Sequence, residues 1–152
     1  MSGRAAPRSA PRQIRDVMSS PPRTVGPKTS IRELQRFFVS YNFNAFPVVD
    51  DAGGLLGIVT KLDLLRIFHH DRARVRPSLT ALLAERVEDI MRRGVITLRP
   101  DDSVATAGDR MLSSNLRSLP VVERRGYEDV LVGMVSRGDV IKSLTFDDDD
   151  VD

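Results

Sequence analysis

The sequence predicts a mixed helix and strand fold of the α+β class (α/β mixed), built from two similar halves. Three observations predict it: the chain is internally duplicated, short apolar runs are bounded by Gly and Asp, and helical periodicity flanks those runs. Each copy has the order helix, strand, helix, strand, strand, helix, which predicts a small three-stranded sheet with flanking helices. We expect the copies to pack about a pseudo-twofold axis, because one unit of fewer than about 60 residues buries too little surface alone.

The duplication is visible as identical residues that recur in the same order. At an offset of 73 positions, the matched pairs include Asp16 with Asp89, Met18 with Met91, Thr24 with Thr97 and Ser30 with Ser103. After a loop the offset is 76, and the pairs are Gly57 with Gly133, Val59 with Val135 and Asp63 with Asp139. The extra residues fall between Glu123 and Leu131, where a hairpin loop accepts an insertion at little cost.

The first part of each copy predicts a helical turn, a short extended piece and a longer helix. The helical turn of the first copy covers residues 14–18. The extended pieces are Thr24-Val25 and Thr97-Leu98. The longer helix begins at Ser30, which together with Glu33 has the spacing of a capping box, and its counterpart begins near Ser103.

The second part of each copy predicts a hairpin and a final helix. In the first copy, strands at 46–49 and 55–59 flank a turn rich in Asp and Gly, and short apolar runs of this kind are typical of buried strands. The apolar residues that predict the final helix are Leu62, Leu65 and Phe68 in the first copy and Val140, Ile141 and Leu144 in the second.

Five segments are predicted along the chain. They are a flexible basic tail (1–13), the first copy (14–70), a linker (71–86), the second copy (87–145) and an acidic tail (146–152). Leu79, Leu82 and Leu83 predict a short packed helix inside the linker. The tails carry runs of one charge, Arg in the first and Asp in the last, and such runs are usually solvated and disordered.

Three motifs, each present twice, identify a resemblance to a known family. They are Asp-Val-Met at 16–18 with Asp-Ile-Met at 89–91, Ala-Phe-Pro-Val-Val at 45–49 with Ser-Leu-Pro-Val-Val at 118–122, and Gly-Ile-Val-Thr-Lys-Leu-Asp at 57–63 with Gly-Met-Val-Ser-Arg-Gly-Asp at 133–139. In this ordered set the chain resembles a tandem pair of cystathionine-β-synthase-type (CBS) repeats, a Bateman module, over residues 14–145. The resemblance implies a homodimer that forms a four-repeat disc, with nucleotide clefts between paired repeats. It also implies a regulatory module, not an enzyme, that senses AMP, ADP, ATP or S-adenosylmethionine and acts on a partner protein.

The resemblance and the chemistry of adenosine together predict the site residues. A carboxylate accepts hydrogen bonds from both ribose hydroxyls, which assigns that role to Asp63 and Asp139. Phosphates need donors and positive charge, which the starts of the final helices provide through Thr60, Lys61, Ser136 and Arg137. Adenine needs an apolar slot with backbone hydrogen bonds. The residues predicted to form that slot are Ala45, Phe46 and Pro47, Ser118, Leu119 and Pro120, and the flanking Thr24, Val25, Thr97 and Leu98.

Other interpretations of the same residues stay open. Thr60 with Asp63 and Ser136 with Asp139 have the spacing of helix N-caps, and capping alone explains both pairs. The sequence leaves open whether one or both clefts bind ligand, and which copy supplies the base contacts to each Asp. The aromatic cluster between Phe37 and Phe46 is interpreted as core or dimer interface rather than as a base-stacking surface.

Two further functions compete with ligand sensing. A purely structural or interaction module would have both clefts filled by side chains. Nucleic-acid binding through the Arg-rich first residues and Arg72, Arg74 and Arg76 is disfavoured, and it predicts affinity that falls steeply with salt.

Composition excludes several kinds of chemistry. The chain has no Cys, so disulfides, thiolate metal sites and cysteine nucleophiles are excluded, and we expect a cytoplasmic protein. No apolar run is long enough for a membrane-spanning helix. The adjacent His69 and His70 point in different directions on a helix, so a shared metal is not expected. No catalytic or phosphate-loop motif is present, and we expect no catalytic cofactor.

Overall fold

The structure, a computed structural model, describes residues 12–70 and 85–144. The elements of the first half are α1 (Ile14–Val17), α2 (Ile31–Ser40), β1 (Ala45–Val49), β2 (Leu55–Thr60) and α3 (Lys61–His70). Those of the second half are α4 (Val87–Ile90), α5 (Val104–Ser114), β3 (Ser118–Arg125), β4 (Glu128–Ser136) and α6 (Arg137–Lys142). The predicted linker helix, the three arginines near residue 74 and the acidic tail lie outside the described residues, as does the basic tail apart from residues 12 and 13.

Each half contains one antiparallel hairpin, β1 with β2 and β3 with β4. The extended piece predicted to complete each sheet contributes a single parallel bridge, from Val25 to Val48 and from Leu98 to Val121. At this bridge the Val25 amide donates to the Pro47 carbonyl at 3.1 Å. The β3–β4 ladder continues outward to Arg125 and Glu128, beyond the point where β1 ends, so the predicted insertion lengthens this hairpin.

The short first helix of each half packs on the core of the other half. Ile14 of α1 is fully buried in a cluster with Leu98, Leu119 and other residues of the second half. Val87 of α4 is fully buried in the corresponding cluster of the first half. The two clusters are therefore completed by exchange, and neither half has its whole core alone.

Backbone bridges between the halves confirm the pseudo-twofold relation. They occur in equivalent pairs: Gln13 with Ser103 and Arg86 with Ser30, then Ser19 with Met134 and Arg92 with Ile58. Each pair is related by the same offsets that align the two copies of the sequence.

Helix capping follows the sequence in part. The Ser30 hydroxyl accepts from the Glu33 amide at 3.1 Å, and the Ser103 hydroxyl accepts from the Thr106 amide at 3.2 Å. Both serines are therefore N-caps. A capping box would also need the Glu33 carboxylate to accept a hydrogen bond from the Ser30 amide, and that bond is not among those of the described residues.

Most of the apolar residues that predicted the final helices do not face the core. Leu64 is buried and Ile67 packs against the core cluster of the first half, whereas Leu62, Leu65 and Phe68 are exposed by 52%, 55% and 42%. In the second half Val140 packs inward, while Ile141 and Leu144 are exposed. Because α3 is apolar on more than one side, the periodicity identified a helix without showing which side of it faces the core.

Candidate functional site

A cavity of about 590 Å³ lies between the two halves. The first half contributes residues of the turn after α1 between Ser19 and Arg23, and of the approach to β1 between Asn42 and Pro47, although not Ser20 or Phe46. The second half contributes Arg117 and Ser118 at the start of β3, and Met134 and residues 136–139 at the junction of β4 and α6. This volume is within the usual range for sites that bind small organic ligands, roughly 300–1,000 Å³.

Asp139 is the acidic residue that lines this cavity. Its Oδ2 accepts from the Ser136 amide at 2.8 Å, while its own amide donates to the Ser136 hydroxyl at 3.2 Å, so the two residues form a capping box. Within residues 12–70 and 85–144, Oδ1 of Asp139 has no hydrogen-bond partner. Capping therefore uses one oxygen of this half-buried carboxylate and leaves the other available to a ligand in the cavity.

The cavity is lined by more positive than negative charge. Arg23, Arg117 and Arg137 line it, and Asp139 is the one acidic residue among its lining residues. Two of these arginines are held in place. The Arg137 guanidinium donates to the Leu116 carbonyl at 2.9 Å, and Arg23 lies over the Tyr41 ring at 4.0 Å from its centroid.

One aromatic ring reaches the cavity from the predicted cluster. Phe38 and Phe46 are buried in the core, as expected, with ring centroids 4.9 Å apart. Phe43 packs edge-on against Phe46 at 5.8 Å but lines the cavity and is partly exposed. It offers a flat apolar surface beside Ala45 and Pro47, where the sequence predicted the adenine slot.

The predicted site residues fall into four groups. Those that line the cavity are Ala45, Pro47, Ser118, Ser136, Arg137 and Asp139. Those with buried side chains outside the cavity lining are Val25, Phe46, Leu98, Leu119 and Pro120, which leaves only their backbone for a ligand. Thr24 and Thr97 lie beside the single-residue bridges without lining the cavity, and Thr60, Lys61 and Asp63 belong to the equivalent position in the other half.

Sequence reasoning missed the turn after α1 and the residues before each hairpin. The lining residues that it did not name as ligand contacts are Ser19, Pro21, Pro22, Arg23, Asn42, Phe43, Asn44, Arg117, Met134 and Gly138. The available signal was position, since Asn44 and Arg117 immediately precede the predicted adenine strands. The contribution of the turn after α1 follows from the exchange of first helices, which no local pattern shows.

The carboxylate of Asp63, the residue equivalent to Asp139, has hydrogen-bond partners on both of its oxygens. Its Oδ2 accepts from the Thr60 amide and hydroxyl, both at 2.9 Å, and its Oδ1 accepts from Arg92 Nε at 3.2 Å. Arg66 lies 3.7 Å from the same oxygen. The Asp63 side chain is only 6% exposed, so both of its oxygens are engaged within the protein.

Comparison with known proteins assigns the family. The family model of the CBS domain matches residues 14–70 and 87–145. The chain belongs to the CBS domain family.

Solved CBS pairs share the whole fold. One is CBSX2, an Arabidopsis thaliana protein, in complex with AMP, with a TM-score of 0.73 and 26% identity, covering 86% of this chain and 94% of that one. Another is the CBS domain pair of protein MJ0100 in complex with 5′-methylthioadenosine and S-adenosyl-L-methionine, with a TM-score of 0.72 and 29% identity, covering 88% and 95%.

A curated relative carries the CBS pair within a longer chain. The L-aspartate semialdehyde sulfurtransferase of Methanocaldococcus jannaschii is 31% identical over 127 residues, which are 84% of this chain and 22% of the relative. The CBS pair described here thus spans about a fifth of that protein's length.

Two features are absent from the described part of the CBS pair. No helix among the described residues is both long and apolar enough to cross a membrane. Within the same part of the chain, no group of three or more His, Cys, Asp or Glu side chains is placed to hold a metal ion.

Proposed function

We propose that this CBS pair is a regulatory module that binds one adenosine-containing ligand in the cavity beside Asp139. The observation that carries the proposal is that Asp139 lines a cavity formed by both halves and that the helix cap uses only one of its two carboxylate oxygens. A carboxylate oxygen in that position accepts hydrogen bonds from a ribose diol. The complexes of CBSX2 with AMP and of the MJ0100 pair with adenosyl ligands support the same ligand class.

The charges in the cavity favour a ligand that carries phosphate. Arg23, Arg117 and Arg137 outnumber the one carboxylate that the ribose would use. Guanidinium groups bind phosphate with charge-assisted and often bidentate hydrogen bonds. AMP, ADP and ATP therefore fit the charge better than S-adenosylmethionine, whose sulfonium is positive. Adenine would lie against Phe43 and Pro47, with backbone groups near Ala45 to read its edge.

Regulation follows from the shared construction of the cavity. Its lining comes from the α1 turn and the β1 approach of the first half, and from the β4–α6 junction of the second. A ligand that contacts both halves favours the arrangement in which they are closed, and it shifts the equilibrium by its differential affinity for the two arrangements. A partner protein that contacts both halves would then sense the ligand.

Thermal unfolding tests ligand binding. AMP, ADP, ATP and S-adenosylmethionine are each added to the purified chain, and a ligand at 100 times its dissociation constant is expected to stabilise the protein by about 2.7 kcal/mol. The Asp139→Ala variant should lose this stabilisation, because the ribose loses its acceptor.

The control for Asp139→Ala is a substitution of an acid outside the cavity. Asp109 is an exposed acid on α5 outside the cavity lining, so Asp109→Ala should respond to ligand like the wild type. Equal stabilisation of wild type and Asp139→Ala by every ligand would contradict the proposed site. No stabilisation of the wild type by any of the four would contradict the proposed function.

A repeated exposed surface supports a homodimer. Three pairs of exposed apolar side chains on or just after the helices occupy equivalent positions, which are Val39 with Leu112, Leu65 with Ile141, and Phe68 with Leu144. They lie on α2 and α3 in the first half and on α5 and α6, or just after it, in the second. An apolar surface that is present twice on one chain, related by the pseudo-twofold axis, suits an isologous contact with a second copy. Two chains would then form the four-repeat disc.

A further inference from the structure

The two equivalent carboxylates differ by one neighbouring side chain. Arg92 occupies, in the second copy of the sequence, the position that Ser19 has in the first. Ser19 lines the cavity beside Asp139 and leaves it open, whereas Arg92 reaches the Asp63 carboxylate and donates to it at 3.2 Å. At the position equivalent to the open cavity, Asp63 thus has a positively charged side chain as neighbour where the Asp139 half has a small hydroxyl.

The backbone places these two residues equivalently. Arg92 exchanges two hydrogen bonds with Ile58, at 2.8 and 2.9 Å, and Ser19 exchanges two with Met134, at 2.9 and 3.1 Å. The Arg92 carbonyl is packed closely on the strand, since a Cβ added at Gly57 would lie 2.6 Å from it. The origin of the Arg92 side chain is therefore fixed beside Asp63, and the difference between the clefts is one of side chains.

A second difference between the two copies of the sequence also favours ligand binding at Asp139 over Asp63. Gly138 lines the open cavity, and its equivalent beside Asp63 is Leu62. At Gly138 an added Cβ would meet only the Ser136 hydroxyl, at 3.6 Å, so the absence of a side chain leaves space open there. The first half places a leucine at that position.

We propose that Arg92 closes the Asp63 cleft by occupying the carboxylate that would bind ribose, so that each chain takes one adenosyl ligand, at Asp139. The inference rests on the proposed function and adds its stoichiometry and the residue that determines it. A ribose at Asp63 would have to displace a guanidinium from a nearly buried carboxylate whose other oxygen is already held by Thr60. At Asp139 no such displacement is needed.

Calorimetric titration with AMP tests this assignment. Wild-type protein should bind one AMP per chain, and Asp139→Ala should bind none. Arg92→Ser, which introduces the residue of the open cleft, should bind two, as should Arg92→Gln, which keeps most of the side-chain length without the charge. The double variant Arg92→Ser/Asp63→Asn should return to one, because the second site then lacks its carboxylate. Arg93→Ser is the matched control: Arg93 is exposed on the next residue, and its removal should leave one site.

The outcomes separate the inference from the proposed function. Two sites in the wild type, or one retained in Asp139→Ala, would overturn the role of Arg92 while leaving nucleotide binding in place. One site in both Arg92→Ser and Arg92→Ser/Leu62→Ala, each shown to be folded by its thermal transition, would overturn it as well. No binding by the wild type or any variant would overturn the proposed function and this inference together.

Discussion

At the scale of single residues, two glycines allow the halves to cross closely. A Cβ at Gly57 would lie 2.6 Å from the Arg92 carbonyl, and a Cβ at Gly133 would lie 2.6 Å from the Met18 sulfur and 3.0 Å from the Ser19 carbonyl. Beside these glycines, the second residue after each short first helix pairs with a strand of the other half. Glycine is needed there because only a residue without a side chain admits a second backbone so near.

Substitution of Gly57 should therefore be costly. Gly57→Ala is expected to lower the free energy of unfolding by about 1–3 kcal/mol, because the backbone oxygen of Arg92 cannot move aside as a flexible side chain can. Urea unfolding monitored by circular dichroism measures the change. Gly94→Ala is the control, since a Cβ at Gly94 would meet no atom within 4 Å. Equal unfolding midpoints for the two variants would contradict this packing.

The sequence predicts which side chains belong to the site better than it predicts which partners those side chains have in the folded protein. Asp63 and Asp139 were both predicted as ribose acceptors, with helix capping as the alternative, and in the structure both carboxylates take part in caps whose cap residues are Thr60 and Ser136. Whether the second carboxylate oxygen of each Asp has a protein partner depends on Arg92 beside Asp63 and on Ser19 in the cavity of Asp139. Both residues follow the exchanged first helices, so they come from parts of the chain that are distant from the Asp they accompany. Spacing within a motif carries no information about such a neighbour.

At the scale of elements, the exchanged first helices couple the two halves. Ile14 of α1 and Val87 of α4 are each fully buried in the opposite core cluster, and neither helix exceeds four residues. Helices this short are not stable by themselves, so their stability comes from the core on which they pack. Unfolding of one half should therefore remove part of the core of the other.

Truncation of Ile14 tests this coupling. Ile14→Ala should lower the free energy of unfolding by about 2–5 kcal/mol, the usual cost of removing a buried aliphatic side chain. The two halves should still unfold in one transition, measured by urea titration with amide hydrogen exchange read in both halves. Arg15→Ala, an exposed change on the same helix, should have little effect. Loss of protection confined to residues near α1 and the second half would contradict the coupling.

Element order was predictable, whereas element orientation was only partly so. Turn residues and short apolar runs located both hairpins and the insertion that lengthens the second. The side of α3 that faces the core was not predictable, because Leu62, Leu64, Leu65, Ile67 and Phe68 supply apolar residues to more than one side. A helix with that composition has more than one apolar side, and its sequence does not show which side packs against the core of its own chain.

At the scale of the whole molecule, the second apolar surface concerns assembly. Leu65 and Ile141 are exposed by 55% and 65%, and they occupy equivalent positions on the final helices of the two halves. Each has neighbours of the same kind on the same helix or just after it, Phe68 and Leu144. The duplication thus gives one chain two similar exposed apolar surfaces, and the proposed four-repeat disc would cover both with the same surfaces of a second copy.

Charge placed on this surface should separate the copies without unfolding them. Leu65→Asp/Ile141→Asp is expected to convert a dimer into a monomer in sedimentation velocity, because a dimer contact would bury the new carboxylates without partners. The thermal transition should remain cooperative, since both side chains lie outside the core of the single chain.

Tyr127→Asp is the matched control: Tyr127 is 97% exposed at the end of the β3–β4 hairpin, away from the final helices, and its substitution should leave the dimer intact. A wild-type chain that sediments as a monomer at all concentrations, or a double variant that still dimerises, would contradict the four-repeat disc. In either case the cavity beside Asp139 would remain, because all of its described lining belongs to one chain.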